Sequence, residues 1–462
     1  MIVLNRQTFC ASAMLVTLTF AGPALAAVTV PRTPAGRVLS AQLAALNSGD
    51  RARVAAYVKR YQADDPHGTD VLIDHMLEVR HDSGGFELVS IERSEPLVIE
   101  YIINARSTTQ TWFARLEVSD EKSPGVVDLH RDEIPRGSKV AVARIVVDAA
   151  MRARVVDGVA RVLTDWYVYP DVATKMAAAL RAHQAMAEYD TITDGRKLAR
   201  VINDQLRDIN PDGHLSVECT PDTVPSDWRE PAALDTERPV DHEFRADLLR
   251  DNCGVENVDR LEGNVGYLKL DFFAPLSVCG PTVSAAMNVL AHVETLIIDL
   301  RDNGGGAPQM VAWLSSYLFE ARTHLNDLYE RKRDKTIAFW TRTDVPGPKL
   351  DGKVPVYVLT SRRTFSGGEE LAYDLKYLKR ATIVGENTGG GAHPTAPVRV
   401  DDHFVIHVPY ARPVNPITKL DWEGTGVAPN VEAPPDQALD VAKRLAAAGR
   451  NAPRPAPAPA AP

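Results

Sequence analysis

From residue 27 onward apolar residues first recur at helical spacing. Leu39, Leu43 and Leu46 form one stripe, Ser48-Gly49-Asp50 interrupts it, and Val54, Tyr57 and Val58 begin another. A third helix is predicted across Val71 to Val79. Ser83-Gly84-Gly85 then ends the helical pattern, and short apolar runs follow at Phe86 to Ile91, Leu97 to Ile103, Trp112 to Val118 and Val126 to Leu129. Helices followed by a small antiparallel sheet predict an α+β accessory domain over 27–140.

Around Pro135-Arg136-Gly137 the period becomes helical again. Val156, Val159, Leu163 and Trp166 share one face, and Leu198, Ile202 and Leu206 another, which predicts a helical domain over 145–235. From Asp241 strands alternate with helices. Strands are expected at Val265 to Leu270, Thr295 to Leu300, Val354 to Thr360 and Thr382 to Val384, with helices near Met310 to Leu318 and Gly368 to Leu378. That alternation predicts an α/β domain with a largely parallel sheet over 236–437. Residues 438–462 read as a helical end that passes, after Ala446, into an Ala/Pro-rich tail with no capacity to pack.

The amino terminus has a different pattern. Arg6 precedes an apolar run from Phe9 to Phe20, and Pro23 is followed by Ala24-Leu25-Ala26, a small-residue site. This predicts a signal peptide, residues 1–26, cleaved after Ala26. The run is too short for a stable membrane anchor. The expected location is therefore periplasmic or secreted.

Composition adds exclusions. The 462 residues are 45% hydrophobic and 24% charged, which argues for several ordinary cores and against wholesale disorder. With 52 Lys and Arg against 61 Asp and Glu, the net charge of -9 has the wrong sign for neutralising phosphates, so no nucleic acid partner is expected. Cys219, Cys253 and Cys279 follow the leader, which allows one internal disulfide and leaves the pairing open. None of them lies in a CxxC or His-Cys cluster, so neither metal nor cofactor is expected.

Two segments carry chemistry. The apolar strand Val354 to Thr360 runs into Ser361-Arg-Arg-Thr-Phe-Ser366-Gly-Gly-Glu-Glu370, placing Ser366 where a helix begins. There the Gly367 N–H lacks an intrahelical acceptor, so a hydroxyl could attack a carbonyl while the next N–H binds the oxyanion. Ser366 could equally be an ordinary helix N-cap. The strand Leu296 to Leu300 leads into Arg301-Asp-Asn-Gly304-Gly305-Gly306, where glycines allow close backbone approach. No Lys-Ser or Lys-Thr follows, so a phosphate loop is not indicated. Thr364 stands where a Gly-x-Ser-x-Gly elbow needs glycine, which disfavours an α/β-hydrolase.

These segments occur in register with Val384-Gly-Glu-Asn-Thr-Gly-Gly-Gly391 and Glu423-Gly-Thr-Gly-Val-Ala-Pro429. Together they resemble the C-terminal processing peptidase family, which includes the tail-specific proteases, the tricorn core protease and the interphotoreceptor retinoid-binding protein modules. The likeness covers roughly residues 150 to 436. It implies a crotonase/Clp protease-like βα superhelix and a serine-type peptidase that hydrolyses protein or peptide substrates. In the processing proteases a Lys lies in the Gly-rich turn, and here that position is Gly391. The resemblance therefore points to the tricorn-like set of Ser366, His214 and Glu423, with His214 in Asn210-Pro-Asp-Gly-His214 as base. The oxyanion hole is expected at Gly367 and Gly305.

His393, just past the glycine run, is the alternative base. No segment before Asp241 is long enough for the PDZ module that many of these proteases carry. The retinoid-binding relatives keep open a non-catalytic module for an apolar ligand or peptide. The accessory domain is similar in pattern alone to cystatin-type or nuclear-transport-factor-like folds. Substrate, cleavage preference and oligomeric state are not encoded in any of these motifs.

Overall fold

The structure, a computed structural model, describes residues 28–63, 68–108, 110–120, 122–134, 145–237 and 239–451. The expected signal peptide and the end of the Ala/Pro tail lie outside the described residues. Among those described, no helix is long and apolar enough to cross a membrane. The chain divides into two compact units, one up to Val142 and one from Ala143.

The first unit contains α1 (Pro34–Ser48), α2 (Arg51–Tyr61) and α3 (Thr69–Ser83), then strands β1 (Phe86–Ser94), β2 (Val98–Ala105), β3 (Thr111–Val118) and β4 (Val126–Ile134). The local sequence sets these boundaries. The Thr33 side chain accepts the Gly36 N–H at the start of α1, Pro34 occupies the first turn, and Gly49 ends the helix at φ 63. The four strands pair antiparallel in sequence order. Leu39, Leu46, Val54 and Val58 from the helices meet Ile99, Ile103 and Leu116 from the sheet in one core.

The second unit begins with α4 (Ala149–Trp166), α5 (Pro170–Ala185), α6 (Gly195–Ile209), β5 (Ser216–Cys219) and α7 (His242–Arg250). It continues with β6 (Val255–Leu261), β7 (Val265–Leu270), α8 (Leu276–Val289), β8 (Thr295–Asp299), α9 (Pro308–Ser315), β9 (His324–Glu330) and β10 (Lys335–Trp340). After these come β11 (Val356–Thr360), α10 (Gly367–Tyr377), β12 (Thr382–Gly385), β13 (Thr395–Asp401), β14 (Phe404–Pro409), β15 (Ala411–Val414), β16 (Val431–Glu432) and α11 (Pro435–Asn451).

The main sheet has six strands in the order β16-β12-β11-β8-β7-β6, parallel except for the β6–β7 pair. Period-2 alternation explains its two coats. Val356 and Val358 of β11, with Leu296 and Ile298 of β8, face the core that includes α8, α9 and α10. Leu359 and Ile297 face the opposite way, onto Ala438, Ala442 and Ala446 of α11. The expected α/β class with a largely parallel sheet is what the chain adopts.

One organisational feature differs from the helical domain expected over 145–235. Its residues 216–219 form β5, which pairs with β14 and completes a three-stranded sheet, β13-β14-β5. Val156, Val159, Leu163, Leu198 and Ile202 share one core with Val398, Phe404 and Ile406. The helices thus have no separate interior, because their apolar faces are covered by strands from nearly two hundred residues downstream. The pairing left open by the sequence is Cys253 with Cys279, joining the turn before β6 to α8. Cys219 is free, and burial pushes its thiol up to about 12.

Candidate active site

The turn after β11 is fixed before it reaches Ser366. Thr364 Oγ1 donates to the Leu300 carbonyl at 2.7 Å, and the Phe365 N–H donates to the Asn303 carbonyl at 2.9 Å. Ser366 follows with φ 51 and ψ -118. An ordinary N-cap takes the extended region, so a simple capping role does not account for this backbone. Left-handed conformations at non-glycine residues cost about 1–3 kcal/mol and cluster at functional sites.

Glu369, one turn into α10, ties this turn to the glycine-rich one. Its buried carboxylate accepts the Ser366 N–H at 2.9 Å, the Gly390 N–H at 2.7 Å, the Gly391 N–H at 2.8 Å and the Thr388 hydroxyl. Burial pushes Glu369 up to about 7, against the pull of those four donors.

The glycine run after β8 lies against Ser366. A Cβ built on Gly305 would sit 2.6 Å from Ser366 Cβ and 2.9 Å from the Gly367 nitrogen, and one on Gly367 would sit 3.1 Å from the Gly306 nitrogen. Both segments leave neighbouring parallel strands at their C-terminal ends, where open α/β sheets build their sites. Of the two expected donors, one N–H is already engaged. The Gly305 N–H is committed to Asn303 Oδ1 at 2.9 Å and the Gly304 N–H to the Asp271 carbonyl at 3.1 Å. Gly306 is the member of the run whose N–H has no acceptor among the described residues, and the Gly367 N–H is likewise free. The N–H of the expected Gly305 donor is thus already held by Asn303, and that of Gly306 is the open one in the run.

His214 stands on the turn after α6. Asp212 Oδ1 accepts its backbone N–H at 3.0 Å, and the imidazole stacks on Phe365 with centroids 4.7 Å apart. Its Nδ1 is buried without a hydrogen-bond partner. Burial lowers the pKa of this histidine to about 4, only partly offset by the charge of Asp212. A Cβ on Gly391 would lie 2.1 Å from Phe365 Cζ and 2.7 Å from His214 Cε1. The two rings thus fill the space that a side chain at position 391 would need.

His393 occupies a different place. It is fully buried, with Nδ1 at 2.9 Å from Asp212 Oδ2 and 3.4 Å from Glu423 Oε2, and Nε2 at 3.3 Å from the Tyr169 hydroxyl. Burial disfavours its charge, yet the hydrogen bond and charge of Asp212, with Glu423 and Asp421, raise its pKa. Glu423 also accepts the Ala392 N–H at 2.6 Å, and burial pushes its carboxyl up to about 7. The structure therefore brings Ser366, Gly306, Gly367 and, through Phe365, His214 together. It sets Glu423 against His393 rather than against His214 Nδ1. The ligand atoms of Asp212, His393 and Glu423 lie within 4.8 Å of one another, a closeness that these hydrogen bonds account for.

Asp212, Glu369 and Phe365 were not singled out by sequence reasoning. Glu369 had a readable signal, since Ser366-x-x-Glu369 is a capping-box spacing. Phe365 and Asp212 had none beyond sitting beside Ser366 and His214.

Comparison with known proteins follows the same segments. The model of peptidase family S41 matches residues 264–433, and that of the N-terminal domain of peptidase S41 in eukaryotic IRBP matches residues 141–251. The chain is 28% identical over 182 residues to the chloroplastic C-terminal processing peptidase of Tetradesmus obliquus, covering 37% of this chain and 36% of that protein. It is 29% identical over 181 residues to the chloroplastic carboxyl-terminal-processing peptidase 2 of Arabidopsis thaliana, covering 37% and 32%. The chain thus spans about a third of the length of the curated relatives it matches. A solved photosystem II D1 C-terminal processing protease superposes with a TM-score of 0.38 at 16% identity, covering 63% of this chain and 94% of that one. Both models are matched in order along the second unit, so residues 141–251 and 264–433 carry the sequence pattern of peptidase family S41 and of its N-terminal domain.

Proposed function

We propose that the protein is an exported serine peptidase, periplasmic or secreted, that cuts protein or peptide substrates with Ser366 as nucleophile and His214 as base. The observation that carries this reading is the packing at Gly391. The family resemblance puts a Lys base at that position, and here the volume is taken by the ring of Phe365, the residue before Ser366, and by the His214 imidazole stacked on it. His393 fits the base role less well, because both of its ring nitrogens are engaged, one by carboxylates and one by Tyr169.

In the proposed reaction Ser366 Oγ attacks the scissile carbonyl while His214 takes its proton. The oxyanion forms against the Gly367 and Gly306 N–H groups, and the imidazolium then gives its proton to the leaving amine. A pKa near 4 keeps His214 neutral, and so able to accept, at neutral pH. Asp212 supplies the adjacent negative charge, and Glu423 supports it through His393. A water then gives a proton to the neutral His214 as it attacks the acyl–Ser366 ester, and the imidazolium returns that proton to Ser366 Oγ as the carboxylic acid leaves. Residues 27–140 are proposed as an accessory unit.

The test is covalent labelling. A fluorophosphonate probe is expected on Ser366, lost in Ser366→Ala and strongly reduced in His214→Ala. A folded wild-type protein that takes no label and cuts no peptide would instead be a binding module.

A further inference from the structure

The second unit carries a groove that the proposed chemistry does not use. Two adjoining hollows, of about 440 and 470 Å³, lie beside α9 and share Leu276, Trp313 and Arg342 in their linings. Trp340, at the end of β10, and Arg322 complete the first of them. The Arg322 guanidinium lies over the Trp340 ring, 4.4 Å from its centroid, and Arg342 over Trp313 at 5.1 Å. A guanidinium over an indole can still present donors to a carboxylate bidentately, as Arg342 does to Asp344 through Nε and Nη2 at 3.4 and 3.2 Å.

Charge in the groove runs against that of the whole chain. Arg342 pairs with Asp344 at 3.2 Å, but the two side chains are 52% and 76% exposed, so the pair is weak and easily exchanged. Among the described residues Arg322 pairs with no carboxylate. Lys349 adds a third cation against the same loop, donating to the Arg342 carbonyl at 2.7 Å. With Arg322 and Arg342 against Asp344 in its lining, the groove of a protein of net charge -9 is positive and aromatic.

Its position connects it to the nucleophile. Leu276 follows three residues after Phe273, whose N–H donates to the Gly305 carbonyl at 2.7 Å. Gln309, also in the lining, follows three residues after Gly306. Three residues span at most ~11 Å, so the rim of the groove at Leu276 and Gln309 lies within about that distance of the glycine run that touches Ser366. An extended peptide advancing about 3.3 Å per residue covers this distance in roughly three residues.

We infer that this groove is a substrate subsite that takes an acidic side chain, in an extended segment with apolar neighbours, a few positions from the scissile bond. The inference rests on the peptidase reading for the meaning of the distance. The carboxylate would sit between Arg322 and Arg342, and the flanking apolar side chain on Trp313 and Leu276.

The test separates binding from cutting. Fluorescein-labelled decapeptides that differ only in Glu or Lys at the chosen position are titrated against Ser366→Ala protein by anisotropy. Their quenched counterparts are offered to the wild type. The Glu peptide should bind about tenfold more tightly and be cut with about tenfold higher kcat/KM, and Arg322→Glu with Arg342→Glu should reverse the preference. Both arginines are surface residues, and the charge-neutral variants Arg322→Gln and Arg342→Gln should abolish the preference without reversing it. Equal binding of the two peptides, or a preference that survives the double reversal, would overturn the inference. If the preference appears in binding while nothing is cut, the groove stands and the peptidase reading fails.

Discussion

Replacing Gly391 with alanine probes the proposed site through one methyl group. The backbone at 391 is not left-handed, so the substitution carries no conformational penalty, and its effect is steric. The added carbon would lie 2.1 and 2.4 Å from two Phe365 ring atoms and 2.7 Å from His214 Cε1. Carbon contacts settle near 3.5–4.0 Å, so Phe365 must retreat by roughly 1.5 Å and His214 by roughly 1 Å. Overpacking of this kind costs about 1–3 kcal/mol of stability, so the protein should stay folded with a modest drop in Tm. Catalysis should suffer more, because a displacement of about 1 Å in a positioned group can cost about a hundredfold.

The assay is kcat/KM on a quenched peptide together with the rate of fluorophosphonate labelling, with circular dichroism as the check on folding. Phe365→Leu, which makes room, should partly restore labelling in the double variant if ring displacement is the cause. A folded Gly391→Ala protein with kcat/KM within threefold of wild type would refute the placement of His214 as base.

The remaining predictions use neighbouring observations. Gly304 has open space where its Cβ would be and a backbone outside the left-handed region, whereas Gly305 has φ +108 and Ser366 within 2.6 Å. Gly304→Ala should therefore keep activity, and Gly305→Ala should lose it about a hundredfold, in kcat measured side by side. With His214 held near 4 by burial, kcat/KM should rise between about pH 3 and 5 and stay level through neutrality. A rise centred near 6.5 would show that His214 titrates as an exposed histidine. Glu369 and Glu423, raised to about 7 by burial, take up protons on folding. Their contribution to stability is complete below about pH 4.5, the unfolded value, and is lost as pH rises through about 7. Tm should therefore fall from pH 5 to 8, and Glu423→Gln should flatten that slope while lowering activity at least tenfold.

What was legible in the sequence follows from range. Runs such as Leu296 to Leu300 and Val354 to Thr360, bounded by turn residues, identify themselves as buried parallel strands. The helices at Val156 to Trp166 and Leu198 to Leu206 declare their apolar faces, but not what covers them. Their cover is β14, and β5, only four residues long, carries no pattern that reveals its pairing with Phe404 to His407. The β9–β10 hairpin was missed for a related reason. His324-Leu-Asn-Asp-Leu-Tyr-Glu is too polar to read as a strand, and Lys335-Thr-Ile-Ala-Phe-Trp, though apolar, then has no visible partner.

The site divides along the same line. Ser366 and the glycine run were readable because each is a local device, a strand end running into a helix start or a close backbone approach. The relation between His214, His393 and Glu423 was not, since three chain segments meet there and only packing decides which partner each group takes. Position 391 shows how sharply packing decides. A side chain there and the His214 ring compete for one volume, so a base reaching Ser366 from the glycine turn and one reaching it from the turn after α6 exclude each other. The glycine at 391 is then as much a part of the proposed mechanism as the histidine. Introducing Lys at 391 would not add a second base to the site but would expel the first, and a Gly391→Lys protein that retained labelling after His214→Ala would show the two arrangements to be interchangeable on this scaffold.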